Sequence, residues 1–522
     1  MMRKLVFLIV LAILLVVQVN AQRYTGNNFG GYAGVLGVQE NPASFVNKNP
    51  RWDINVIGTG LAAYSEYGYF ANESVLSLSG KRVITNGSDS IPSTFNPDND
   101  ALFIANQYTS PITGFMYHQT IHLPSVSFKI KENFALGLFC NIRMGADAMN
   151  APTFFNYSNL KQITDFRPYT IGITNVNAMA WGEIGANIAY AHTLPNDHIL
   201  SIGLNPKYLL GFEAMYVQNK SDYNFYRDRD TFIASDANVT VGFASGASRY
   251  DQSYKFGING TGIGLDIGAE YLIPNNNEQS VSPHYMKFGV AVRDLGGITF
   301  NKNAERHDFV INRTEFGVVK QITNNRSSNY EVVKRLSAAL FNDDSVKSLV
   351  GNEISMYLPT SINLSWDYNF KTDFFVNVFA SRRMTTLQHQ LSAQNVWMVS
   401  GRFERRWFEA GLSASLTEDK WFGVGSYIRL GLFTIGSDHV NALLFSQSEL
   451  RGADIYFSLK IMPFGTLGMT KKRAVDIDDR KASDRYSQKW LDKVSDARYE
   501  IGNANTGKSS GGKFGCFKSK SW

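Results

Sequence analysis

Ile263-Gly264-Leu265-Asp266-Ile267-Gly268-Ala269-Glu270-Tyr271 alternates without a break: every odd position is apolar or aromatic, and Gly264, Asp266, Gly268 and Glu270 fill the even ones. Successive side chains of an extended chain point to opposite faces, so the stretch predicts a strand with one apolar and one polar side. The pattern returns in Ile362, Leu364, Trp366 and Tyr368, set against Ser361, Asn363, Ser365 and Asp367. It returns again in Ile455, Phe457, Leu459 and Ile461, set against Tyr456, Ser458 and Lys460. Residues 134–143, 183–190, 200–212, 287–293 and 408–416 read the same way. Segments of about ten residues with this period are the signature of strands that cross a membrane.

A soluble sandwich also alternates, and three features separate the two. Arg3 and Lys4 precede an apolar run over 5–17, and Val19-Asn20-Ala21 supplies the small residues that a signal peptidase reads. This predicts a signal peptide over 1–21, since the run is shorter than the roughly 20 apolar residues of a spanning helix. No Cys stands at the cleavage point, which argues against a lipoprotein anchor. Tyr, Trp and Phe gather near segment ends, as interfacial girdles require. The connections, finally, are of two very different lengths.

Composition agrees. Charged residues are 18% of the chain against about 25% in soluble domains, while aromatics reach 13% and glycines number 44. Low charge with many aromatics and glycines suits strands between lipid and a crowded interior. No later stretch approaches 18 consecutive apolar residues, so a membrane helix is not expected. The formal charge of +6 is confined to the end of the chain, where 471–522 carries 13 Lys and Arg against 7 Asp and Glu. The rest is balanced, which excludes a basic nucleic-acid-binding domain; no nucleic acid partner is expected.

Tight turns are predicted at 131–133, 195–198, 369–372 and 405–406, and long connections near 69–119, 147–178, 213–260 and 297–356. Short periplasmic turns and long outer loops are the usual arrangement. Counting 231–243 as a span would put the later turns on the wrong side, so it is expected in an extracellular hairpin or an inward-folded loop. Residues 440–445 then supply the core of a span and restore an even count. The expectation is an all-β transmembrane antiparallel barrel of about 14 strands over 51–463 in the cell outer membrane, with outer-membrane lipid around it. Residues 22–50, rich in Gly, Asn and aromatics, are expected as a hatch-like segment in the lumen. Residues 464–522 form a polar basic periplasmic tail with one amphipathic helix, whose stripe is Tyr486, Trp490, Val494, Ala497 and Ile501.

Asn41-Pro42-Ala43-Ser44, just before the first strand, resembles the opening of fatty-acid-transporter-like and type IX secretion-associated barrels. The phrases Gly262 to Tyr271, Val292-Arg293-Asp294-Leu295-Gly296-Gly297-Ile298, Leu358-Pro359-Thr360-Ser361 and Gly436-Ser437-Asp438 strengthen it. Their order over 35–465 resembles an uncharacterised outer-membrane β-barrel family, domain-of-unknown-function family 5723. The family carries no assigned reaction, so the resemblance implies no catalytic residue.

Arg143, Glu183, Lys207, Asp266, Glu270, Lys287, Arg293, Asp367, Glu409, Arg429 and Lys460 fall on polar strand faces. They are expected to face the lumen, because Arg or Lys toward lipid costs roughly 2–4 kcal/mol at the midplane. There they could line a polar conduit, receive a plug, or pair with each other and with inserted loops in a closed lumen. Both signs occur in similar numbers, which favours pairing. Histidines stand at 118, 122, 192, 198, 284, 307, 389 and 439. His118 and His122 have metal-ligand spacing only on a helix, which Pro124 and the strand pattern oppose; His192 and His198 flank a turn and are expected to be solvated. GxSxG, HExxH and P-loop patterns are absent, so no enzyme, cofactor or metal is expected. Cys140 shares the phase of Leu136 and Leu138 and is expected to face lipid; Cys516, between Phe514 and Phe517 after the flexible Gly/Ser-rich stretch 503–513, is expected to be a free thiol, an intermolecular bridge being the alternative.

Two functions lead. One is a scaffold or accessory barrel for periplasmic or surface machinery, type IX secretion or gliding among them, with a protein partner on the tail or long loops. The other is a transporter of small hydrophobic molecules, which needs a greasy lumen pocket and a lateral opening. An enzyme at the rim would need a His beside Ser or Asp.

Overall fold

A computed structural model describes residues 28–463 except 67, 87–94, 106–112, 152–167, 229–230, 248–252, 276–283, 312–313, 317–327, 342–343 and 372. The expected signal peptide, the tail with its stripe and Cys516 lie outside the described residues.

Fourteen antiparallel strands close into a barrel. The first seven are β1 (Trp52–Ser65), β2 (Thr113–His122, resumed at Ser125–Lys131), β3 (Phe134–Ala151), β4 (Thr174–Thr193), β5 (Ile199–Asn219), β6 (Gly260–Pro274) and β7 (His284–Phe300). The rest are β8 (Ile354–Tyr357, resumed at Ser361–Lys371), β9 (Phe374–Arg383), β10 (Val396–Glu404), β11 (Phe408–Thr417), β12 (Trp421–Leu430), β13 (Phe433–Ser437) and β14 (Gly452–Ile461). Each pairs with the next, and β14 returns to β1 with Ile54 opposite Ile461 and Tyr64 opposite Gly452. Closure gives every strand two partners, the condition for crossing lipid with extended chain.

The alternation resolves into an outside and an inside. On β6, Ile263 and Ile267 are exposed while Asp266 and Glu270 are buried. Leu138 on β3 is exposed on the same outer surface as Ile184 and Ile188 of the adjacent β4. The outer surface is thus a belt of aliphatic side chains and the core is polar, the inverse of a soluble domain. Aromatics collect where strands meet the short turns: Tyr285 packs on Tyr368, and Phe374 on both Phe370 and Phe403.

Two expectations are corrected. Residues 440–445 do not form a span: Val440–Leu444 is a short helix, and the thirteenth strand is β13. Gly431, at φ 56, turns β12 back on itself, and β13 is only five residues long, too short for its alternation to stand out. The chain then folds inward over Gly423 and Gly425, where any side chain would collide with His439 and Asp438. Three of the four long connections also begin later than read, after Ala151, Asn219 and Phe300. β4 and β5 run for 20 and 21 residues, about twice the 9–11 that cross a bilayer. A bulge between Gly211 and Glu213 shifts the phase of β5, so the sequence period breaks where the strand does not.

At the loop end, Ala237–Ala244 pairs with the upper part of β5 and with Ala304–Ile311, extending the wall beyond the barrel. It pairs with β5 only beyond Glu213 and is not one of the fourteen spans. Helix Asn329–Leu340, capped by the Ser328 hydroxyl accepting from Glu331 N, lays Tyr330 and Val333 against Phe243 and Phe309.

Candidate functional site: a plugged, charge-filled lumen

Residues 28–47 are all buried, and the barrel's inward side chains hold them by their backbone. Lys460 Nζ donates to Tyr32 O at 2.7 Å and Ala33 O at 3.0 Å. Asp53 accepts from Val35 N, Glu404 from Gly31 N at 2.9 Å, and Asn205 donates to Val38 O at 2.9 Å. Asn187 donates to Pro42 O at 2.9 Å. A plug with little regular structure has many orphan amides and carbonyls, and a polar wall is what satisfies them. Gly34, at φ 62, sits against the Asp53 carboxylate, where a side chain would collide.

Asn41-Pro42 lies against β6 and β7 of the wall. Asn41 Nδ2 donates to Ala269 O at 3.0 Å and Val290 O at 3.3 Å, bridging β6 and β7, and its Oδ1 accepts from Ala43 N. Gly268 and Gly203 leave the room: a Cβ at either would strike Asn41 or Pro42. The motif that marks the chain's resemblance is therefore the seat of the plug against the wall.

Beyond it lies a cluster of ion pairs. Arg143 reaches Glu183 and Asp294, both at 2.8 Å; Lys207 reaches Asp266 and Asp294, both at 2.7 Å; Arg293 reaches Glu40 of the plug at 2.7 Å. Three cations thus meet four carboxylates. Asp294 occupies the centre because β7 carries a bulge there, with Arg293 and Asp294 both facing Asp266 of β6. Asp294 adopts φ 58 and donates its own N–H to Asp266 at 2.7 Å. Asp tolerates that left-handed conformation better than most residues, and Gly296 at φ 130 completes the distortion.

A second cluster lies nearer the turns. Asp367 receives Arg402 at 2.6 and 2.8 Å and His284 at 2.8 Å. Glu409 receives Arg429 Nε at 3.0 Å and Tyr427 OH at 2.7 Å, and the Arg429 guanidinium covers the Tyr32 ring of the plug. Glu270 accepts from Asn47 at 2.9 Å and lies 3.8 Å from Lys287. All eleven charged residues read from the strand faces lie on the inner wall. Sequence reading missed Asp294, Glu40, Asp53, Arg402 and Glu404. Asp294 stood in a quoted phrase, but the bulge breaks the alternation just before it.

From the loop end, the segment after β9 also folds in. Ser392 N donates to Asp147 at 2.9 Å, and Gln390 Nε2 donates to Leu358 O and Thr360 Oγ1. Between this segment, the plug and the charge cluster remains a cavity of about 80 Å3, bordered by His118, His122, Arg143, Glu40 and Gln394. That holds a few waters and falls far below the roughly 300 Å3 of small-ligand sites.

His118 and His122 both lie on β2 beside the cavity, and His122 Nδ1 bonds Asn141 at 2.9 Å. His198 approaches Tyr271 OH at 2.5 Å rather than water alone. His439 does sit on Asp454 at 3.1 Å near the rim, the half of a relay that an enzyme would need. The Ser415 hydroxyl, on the residue paired in register with Gly423 beneath that ring, has no hydrogen-bond partner among the described residues.

The family model described as "Family of unknown function (DUF5723)" matches residues 42–438. No curated protein matches. Among solved structures, the Ralstonia pickettii toluene transporter TbuX is 9% identical with a TM-score of 0.35, over 82% of this chain and 94% of that one. The Pseudomonas putida toluene transporter TodX is 8% identical with a TM-score of 0.28, over 82% and 92%. A Pseudomonas aeruginosa FadL homologue is 8% identical with a TM-score of 0.24, over 85% and 98%. Nothing of their substrates transfers at this level of likeness.

Proposed function

As the chain belongs to the DUF5723 family of unknown function, which brings no activity with it, we propose that it is a closed outer-membrane barrel serving as a scaffold for periplasmic or surface machinery, type IX secretion or gliding among them. The observation that carries this reading is the filled lumen: a plug tied to the wall on many sides, above which three cations and four carboxylates leave about 80 Å3. A conduit needs a continuous wet path, and a carrier of hydrophobic molecules needs an apolar pocket; this interior is built for neither. Its buried charges are paired, which favours a rigid wall over passage. Strands β4 and β5 stand well beyond a bilayer and offer a platform at the loop end.

The test has two arms. Full-length protein in planar bilayers should carry no steady ionic current, and crosslinking in outer membranes should recover a complex of fixed stoichiometry that a chain truncated after Gly465 loses. A stable open conductance, or toluene uptake by proteoliposomes that exceeds empty vesicles, would replace the scaffold with a transporter.

A further inference from the structure

A cavity of about 460 Å3 lies outside the plugged lumen, at the loop end. It is built by register. Tyr216 of β5 stands opposite Gly242, which stands opposite Arg306; one step along, Gln218 stands opposite Thr240, which stands opposite Asp308. Side chains two apart share a face, so two rows of three positions, carrying five side chains, face one concavity. Gly242 contributes no side chain, and the Tyr216 ring lies across its backbone. His389, held at φ 57, covers the other face of that ring with centroids 3.6 Å apart and planes 17° apart. The loop is fixed there, since Tyr357 N donates to His389 O at 3.2 Å.

The polar groups around this floor are underused. Lys220 and Glu353 stand at the rim. Among the described residues Lys220, Arg306 and Glu353 take part in no ion pair, and Asp308 accepts from Thr240 Oγ1 at 2.6 Å. Gln218 Oε1 is shielded from solvent with no partner. Donors and acceptors therefore alternate across the cavity. An anion would meet Asp308 and Glu353, a cation would meet Lys220 and Arg306, and an apolar ligand would strip water from all four without return. A sugar fits each requirement: every hydroxyl donates once and accepts twice, and a half-exposed Tyr357 ring suits the apolar face of a pyranose.

We propose that this mouth cavity, formed by Tyr216, Gln218, Arg306, Asp308, Glu353 and Tyr357, binds an uncharged mono- or disaccharide unit of a surface glycan. The site is independent of the scaffold reading and of the plug.

The experiment is saturation-transfer NMR on the full-length protein in a sugar-free amine-oxide detergent, with maltose, N,N′-diacetylchitobiose, glycylglycine and inorganic phosphate as separate probes. Transfer to the ring protons of one disaccharide is expected, weakened about tenfold in affinity by Arg306→Ala and by Glu353→Gln, as loss of a charge-assisted hydrogen bond predicts. Heat-modifiable gel mobility identifies a variant that has failed to fold, and the conservative Glu353→Gln keeps the test alive if Arg306→Ala does. Absence of transfer to either sugar at millimolar concentration overturns the proposal. So does transfer that ignores both substitutions, or binding of phosphate or glycylglycine alone.

Discussion

Arg143 and Asp294, 151 residues apart, meet in a fork across the lumen, Nη1 to Oδ1 at 2.8 Å and Nη2 to Oδ2 at 3.0 Å. Two parallel bonds from a planar guanidinium fix orientation as well as distance. The same carboxylate also takes Lys207, so one side chain on a bulge holds β3, β5 and β7 together.

Replacing Asp294 by Asn keeps the left-handed backbone and removes only the charge. Arg143 and Lys207 then share fewer carboxylates in a dry interior, and about 3–5 kcal/mol of stability should be lost. Urea unfolding from micelles, followed by heat-modifiable mobility, measures it. A loss below about 1 kcal/mol would mean the cluster is solvated like a surface pair.

Leu138, 58% exposed on the outer surface of β3, tests the membrane directly. Leu138→Arg should cost about 2–4 kcal/mol in lipid vesicles, because a guanidinium cannot be hydrated at the midplane. A substitution that is neutral in vesicles would place this face in water.

Gly34→Ala addresses the plug alone. The left-handed φ of 62 costs an alanine roughly 1–2 kcal/mol, and its Cβ would press on the Asp53 carboxylate. Trypsin or subtilisin should then cut within 28–50 at least several times faster, while the mobility shift of the folded barrel is retained. Equal cleavage in both proteins would show that this turn does not secure the plug.

His389 is pulled down from 6.5 to about 4, by burial first and then by Lys220 and Arg306, with Tyr216 stacked on it and Asp308 and Glu353 across the cavity. The neutral ring is therefore the folded form at pH 7. An imidazole depressed in the fold is protonated first in the unfolded chain. Its contribution is thus whole above about pH 6.5, falls as pH drops toward 4, and changes no further below that. NMR titration of the ring should give a midpoint near 4. A midpoint at or above 6 would place the ring in open water.

Much of this was readable in advance, for a local reason. Which face a side chain takes depends only on the extended backbone at that residue, so Asp266, Glu270 and Lys460 could be assigned inward from their neighbours alone. Tight turns at 131–133 and 195–198 came from local composition in the same way. The reading failed where geometry departs from the period. The bulges at Phe212 and Asp294 shifted the phase and hid residues that belong to the interior. β13 was too short to be seen, and the more apolar 440–445 took its place.

The sequence by itself determined a closed sheet with an apolar exterior and a charged interior, and a segment before it that had to sit somewhere polar. It could not determine whether that interior was a channel. Arg143, Lys207 and Arg293 look alike along the chain, whether they line water or grip a carboxylate. Only the register around fourteen strands decides that Arg143 meets Asp294 and Arg293 meets Glu40 of the plug. Those partners are set by distances across the barrel, and no period in the sequence carries that information.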